Sequence, residues 1–217
     1  TEPYPDEVVD EFRQISQAAA DGGYRINEHS MMDITINSIL DAWEQVDEKT
    51  PLASLRWSLE HVLTISEENI ERARDLGVTL AVHQVAMNMP PFLQPPIRKM
   101  QDNGIVWGLG TDASIVSAYQ PFITLGWVTT GKSINGQTIN EEPVTREEAL
   151  IAHTRSNAFL LHRENDLGTL EVGKLADLVV LDRDYMNIPA DEIFDIQPVI
   201  TMVGGRVVYD ATSEISP

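Results

Sequence analysis

Two histidines and one aspartate stand where an α/β chain collects its chemistry. His29 follows a short extended stretch (24–28), His61 lies near the end of a strand-like stretch (55–62), and Asp112 follows an apolar run and small residues at the end of 104–112. Ligands and catalytic groups gather at the carboxyl ends of parallel strands, so the three side chains could converge on one face. Neutral imidazoles and a carboxylate suit Zn²⁺ or a similar divalent ion, which brings the pKa of a bound water to about 7. A carboxylate beside that water can take its proton and pass it to a leaving nitrogen. Hydrolysis of an amide-like bond is the chemistry this set implies. Catalytic zinc normally has three protein ligands, and the sequence holds neither H-x-H nor H-E-x-x-H, so the set reads as incomplete.

The remaining histidines have weaker cases. His83 follows the strand-like stretch 78–82, and His153 and His162 lie within or just after a helix opening at Thr145, where a structural or solvent-facing role is expected. Asp33 completes an S-x-x-D pattern with Ser30 and reads as a helix-capping residue.

Two phosphate motifs compete for attention and fail on context. Residues 108–113, Gly-Leu-Gly-Thr-Asp-Ala, satisfy a loose dinucleotide fingerprint, but no helix is evident after Ala113 and no acid occurs between Asp112 and Glu141 to hold a ribose. Residues 126–133, Gly-Trp-Val-Thr-Thr-Gly-Lys-Ser, match the P-loop pattern, yet no good strand precedes them and a poor helix start follows. Lys132 reads as a solvated loop lysine.

The elements that would position the three side chains alternate. Helical spacing marks 6–21, where Val8, Val9, Phe12, Ile15 and Ala19 form a stripe stopped by Gly22-Gly23. Further helices are expected over 30–46, from Ser66 to Gly77, and over 92–103 with an interruption at Pro95-Pro96. Strands are expected over 24–28, 55–62, 78–82 and just before Asp112. Alternation at this spacing means a parallel sheet with crossover helices. Residues 114–144 read as irregular around a short helix near 119–129, and Thr145 with Glu148 forms a capping box for a helix through about Leu161. Short β segments are expected over 167–173, 178–181, 198–203 and 206–209, with Gly204-Gly205 as a hairpin turn.

Composition bounds the setting. The 217-residue chain has net charge −19, which argues against nucleic-acid phosphates or an anionic membrane as partner. It has no cysteine, so disulfides and thiolate metal sites are excluded. No apolar run approaches a membrane span and the N-terminus lacks the features of a signal peptide, so a cytoplasmic location is expected. The basic residues are arginines apart from Lys49, Lys99, Lys132 and Lys174. A strongly acidic, lysine-poor surface fits a high-salt cytoplasm, where screening removes self-repulsion.

The order of motifs resembles the C-terminal part of the amidohydrolase superfamily, in its family-3 branch of metal-dependent hydrolases. His29-Ser-Met-Met-Asp33 resembles the H-x-x-G-D motif at the end of the fifth barrel strand, with Met32 where the family usually has Gly. Arg56-Trp-Ser-Leu-Glu-His61 is similar to the R-x-x-I-E-H motif of the sixth, and Gly108-Leu-Gly-Thr-Asp112 to the G-T-D motif of the eighth. Residues 145–158 resemble the final barrel helix. Residues 167–184 and 203–209 resemble the return into a β-sandwich domain. The resemblance implies an α/β fold: the C-terminal half of a TIM (β/α)8 barrel over 1–165, followed over 166–217 by strands of a small β-sandwich domain.

Carried over residue by residue, the resemblance makes His29, His61 and Asp112 metal ligands and Asp112 also the general base. It implies a divalent metal, zinc in the first instance, with one or two ions in a full-length protein and low occupancy in this chain alone. It implies hydrolysis of a C–N bond, amide or cyclic amide, in a small-molecule substrate, with this chain inactive by itself. The family's first-strand H-x-H pair and fourth-strand residue have no counterpart here, so the chain reads as a C-terminal fragment. Half a barrel leaves edge strands open and an apolar face uncovered, to be covered by the missing N-terminal half or by a homo-oligomer. A non-catalytic regulatory or binding protein on the same fold is the alternative, with Met32 as its support.

Overall fold

A computed structural model describes residues 2–213; Thr1 and residues 214–217, the end of the expected C-terminal domain, lie outside the described residues. Alternation of apolar strands with amphipathic helices gives α1 (Asp6–Asp21), β1 (Asn27–His29), α2 (Asp33–Asp47), β2 (Ser58–Glu60), α3 (Glu67–Asp75), β3 (Thr79–His83), α4 (Ile97–Asn103) and β4 (Trp107–Gly110). The four strands form one parallel sheet in the order β1-β2-β3-β4. Register aligns their carboxyl ends: His29 pairs with Glu60, Glu60 with Ala81, and His83 with Gly110. That register, set by which residues must face the core, brings the strand-end side chains together.

The helices pack Ile36, Ile39, Leu40, Trp43 and Val46 of α2 and Ile70 and Ala73 of α3 into a core with Leu59, Leu80 and Leu109 of the strands. Trp43 and Trp57 meet edge-on at 5.1 Å, and the Trp43 indole N–H donates to the buried Ser16 hydroxyl at 3.2 Å. This rotates α1 slightly from its expected face: Ser16 and Ala20 are buried while Val8 and Ile15 are exposed.

Several local expectations are corrected. Asp33 does not pair with Ser30, and α2 starts at Asp33 without a side-chain cap. Its Oδ1 instead accepts from the Ser66 backbone N–H at 2.7 Å and the Asn69 amide at 2.8 Å, so it supports the start of the next helix, α3. Residues 167–173 form no strand, because Gly168 and Gly173 adopt φ of +88° and +100° and break any extended run. The segment 92–103 begins helical structure with a single turn of 3₁₀ helix, Pro91–Leu93, before α4.

Beyond β4, turns lead to α5 (Pro121–Thr130) and then α6 (Arg146–Ile151), a π-helical turn (Ala152–Ser156) and α7 (Asn157–Leu160). Both halves of the Thr145–Glu148 capping box are present. Arg98 of α4 also grips Glu148 through two N–H groups at 2.9 and 3.1 Å, which with the cap holds its carboxyl down at about 2. Because the folded value lies below the usual 4.5, this contact stabilises the fold above about pH 4.5 and is lost as pH falls toward 2. Glu148→Gln is therefore expected to cost about 1 kcal/mol at pH 7. Urea titrations should show the gap closing toward pH 2, and an equal gap at both pH values would exclude the charge as its source.

The C-terminal strands β5 (Leu178–Leu181), β6 (Pro198–Val203) and β7 (Arg206–Asp210) form an antiparallel sheet in that order. Gly204 and Gly205, at φ +57° and +77°, make the tight turn between β6 and β7. The protein is thus an α/β fold with a parallel sheet and a separate antiparallel one. Among the described residues no helix is long and apolar enough to cross a membrane.

Candidate metal centre

The carboxyl ends of β2, β3 and β4 deliver His61, His83 and Asp112 to one point. His61 Nδ1 lies 2.9 Å from His83 Nδ1, His83 Nδ1 lies 3.1 Å from Asp112 Oδ2, and the third side is 3.8 Å. His29, at the end of β1, sits beside this group with its ring 4.6 Å from that of His61. Of the sequence candidates, His61 and Asp112 come together directly and His29 stands next to them. His83, ranked low from sequence, is in the middle. Its signal was its place at the end of a strand, in step with His61 and Asp112; the residue itself carried no motif.

The backbone bends to make this arrangement. His61 at φ +67° and Asp112 at φ +53° are two of four non-glycine residues in the left-handed region among the described residues, a conformation that costs energy and collects at functional sites. Each turns its side chain back across the strand ends at the residue where the sheet stops.

Two imidazole nitrogens and a carboxylate oxygen at these separations satisfy each other poorly with protons. Only one N–H can lie between the nitrogens, and the His83 Nε2 is buried without a partner among the described residues. Burial pushes His83 below the usual imidazole value, against the pull of Asp112, which favours the neutral ring that a metal ligand needs. Four tetrahedral ligands at zinc distances stand about 3.3 Å apart, a spacing that the three measured sides bracket. The donor set therefore fits a small divalent ion.

The group opens into a cavity of about 360 Å³, also lined by Arg25, Glu60 and Asn157, within the usual range for a small-molecule site. Elsewhere the structure removes competitors. Residues 126–130 lie inside α5, so the P-loop match holds no phosphate loop, and Lys132 is exposed beyond the helix end. No helix begins directly after Ala113, where turns and bends run to Gln120, so the dinucleotide fingerprint has no helix N-terminus beside it. His153 sits half-buried against a different cavity and His162 is exposed just after α7. Met32 adopts φ −120° and ψ 138°, which any residue can take, so its replacement of the expected Gly distorts nothing.

Comparison with known proteins agrees with the geometry. The model of the amidohydrolase family matches residues 1–209. N-substituted formamide deformylase of Arthrobacter pascens is 27% identical over 216 residues, covering 93% of this chain and 40% of that protein. A probable imidazolonepropionase of Nematostella vectensis is 30% identical over 186 residues, covering 81% of this chain and 37% of its own length. Among solved structures, atrazine chlorohydrolase from Arthrobacter aurescens TC1 in complex with zinc superposes with TM-score 0.66 at 24% identity, over 93% of this chain and 48% of that one. A metal-dependent hydrolase from Pyrococcus furiosus gives TM-score 0.67 at 22% identity, over 82% of this chain and 38% of that one. The chain thus spans about two fifths to one half of the length of these four proteins.

Proposed function

Because this chain belongs to the amidohydrolase family, we propose that it contributes the metal-binding strand ends and catalytic aspartate of a hydrolase that cleaves a non-peptide C–N bond, amide or cyclic amide, in a small molecule. The observation that carries this reading is the convergence of His61, His83 and Asp112, with His29 beside them. In the same reading, residues 1–165 form half of a (β/α)8 barrel and 166–217 part of a β-sandwich domain.

His61, His83 and Asp112 would hold the ion, with His29 entering from the end of β1. Bound there, a divalent ion such as zinc supplies Lewis acidity, making a nearby water acidic near neutral pH and polarising a carbonyl. The chain's own groups do the rest. Asp112 is the most exposed of the three donors, at 41% of its side chain, and can reach a substrate. Its carboxylate takes the proton of the attacking water and delivers it to the departing nitrogen. Without the ion, His83 Nδ1 stands 3.1 Å from Asp112 Oδ2, which keeps that carboxylate beside the other donors. Arg25 and Asn27, on the cavity wall, are placed to bind a polar substrate edge.

Zinc or cobalt titration of the chain by calorimetry is the direct test. Saturable binding that disappears in His61→Ala and in Asp112→Ala is expected. Binding of equal strength in all three proteins would remove the centre. A full-length protein that binds metal and turns over no amide would instead support the non-catalytic alternative.

A further inference from the structure

We propose that Asn157 is a positioning residue that fixes the end of β4 and thereby seats Asp112 against His83. The inference rests on reading His61, His83 and Asp112 as one centre, and it adds a residue that, among the described residues, hydrogen-bonds to none of the three.

β4 is hydrogen-bonded along one side to β3, with Val82 opposite Leu109. The Asn157 amide engages the backbone of β4 directly. Its Oδ1 accepts from the Leu109 N–H at 3.2 Å and its Nδ2 donates to the Leu109 carbonyl at 2.9 Å. One side chain thus pairs both backbone groups of a residue three positions before Asp112. A third bond, from Nδ2 to the His153 carbonyl at 3.2 Å, fixes the amide from behind.

Two features show that the local structure accommodates this contact. The π-helical turn Ala152–Ser156 immediately precedes Asn157. Such a turn inserts a residue into a helix and re-aims the side chains after it, often at functional sites. Gly108 lies directly under the amide, and a Cβ there would collide with Asn157 Oδ1. The strand therefore carries glycine where the amide comes closest.

Asp112 depends on this support. It lies beyond the last residue of β4, in a strained conformation and two-fifths exposed, so little packing of its own fixes it. Freeing Leu109 frees the strand end from which Asp112 projects. Asn157 also lines the same cavity, but from the wall.

The test uses the chain labelled with ¹⁵N-histidine, without metal, and a parallel Co²⁺ titration. Asn157→Ala and Gly108→Ala attack the same contact from opposite sides. Each is expected to move the His83 Nδ1 resonance away from its hydrogen-bonded position and to weaken Co²⁺ binding about 10- to 100-fold, the range for residues that orient ligands. The double variant should be no worse than the weaker-binding single variant, because the contact can be lost only once. Asn157→Asp keeps the shape and the acceptor but not the donor, and serves as the readout if Asn157→Ala does not fold. A lowered melting temperature with an unchanged His83 resonance and unchanged Co²⁺ affinity would make Asn157 merely structural and overturn the proposal. If the unaltered chain alone binds no Co²⁺, the His83 resonance by itself decides the role of Asn157, and the metal reading is decided by the same titration of the full-length protein.

Discussion

Asp112→Asn, made in the full gene product and assayed with metal in excess on formamides and cyclic amides, is expected to lower kcat by about 10²- to 10⁴-fold, the usual contribution of a positioned general acid–base. Asparagine keeps the size of the side chain and an oxygen for His83 to approach, but its amide cannot take a proton. Asp112 is also one of three donors in the centre, so part of the loss will come from weaker metal binding, which excess metal removes. The remaining loss isolates proton transfer. It should fall on kcat more than on KM, because a group acting in the transition state leaves ground-state binding largely intact. Unchanged turnover would reject the proton-shuttling role of Asp112, whatever binds at the site. Absence of turnover in the unaltered protein, with metal bound, would favour a binding protein instead.

What the sequence revealed about this centre follows the reach of each signal. The Thr145–Glu148 cap was legible because both partners lie within one turn. Asp33 was misread because its partner, Ser66, is 33 residues away, at the cap of α3, which packs directly beside α2 in the fold. His61 and Asp112 sit in recognisable motifs at strand ends, whereas His83 occupies the same kind of position without one. Only the register of β3 against β4, which pairs His83 with Gly110, shows that it must meet Asp112. The helix from Thr145 was legible as a helix, but not the π-helical turn inside it, since that turn answers to a contact 48 residues back, between Asn157 and Leu109. The β segments at 178–181, 198–203 and 206–209 were legible from their apolar runs and their glycine turn. The segment 167–173 has a similar pattern of apolar residues but carries glycines that the structure puts in the left-handed region.

Trp43→Ala is expected to cost about 3–5 kcal/mol, the range for removing a buried tryptophan, and to show how the core and the centre are linked. Trp43 is fully buried, packs on Trp57 and Phe12, and satisfies the buried Ser16 hydroxyl. Alanine leaves a cavity and strands that hydroxyl, two costs that add. The loss is a large part of the 5–15 kcal/mol that holds a typical domain together, so the midpoint of a urea titration should fall sharply. Trp57 directly precedes β2, the strand that leads into His61, so the damage lies behind the centre without touching a donor. A ligand that binds only the folded chain restores about 2.7 kcal/mol when present at 100 times its Kd. Zinc should therefore recover much of the stability lost in Trp43→Ala and much less in the double variant with Asp112→Ala, since histidines of the unfolded chain bind zinc only weakly and do so in both. Equal recovery in the two proteins would place the ion away from Asp112. Recovery in the single variant alone would show that the strand ends still assemble their donors when the tryptophan core beneath them is broken.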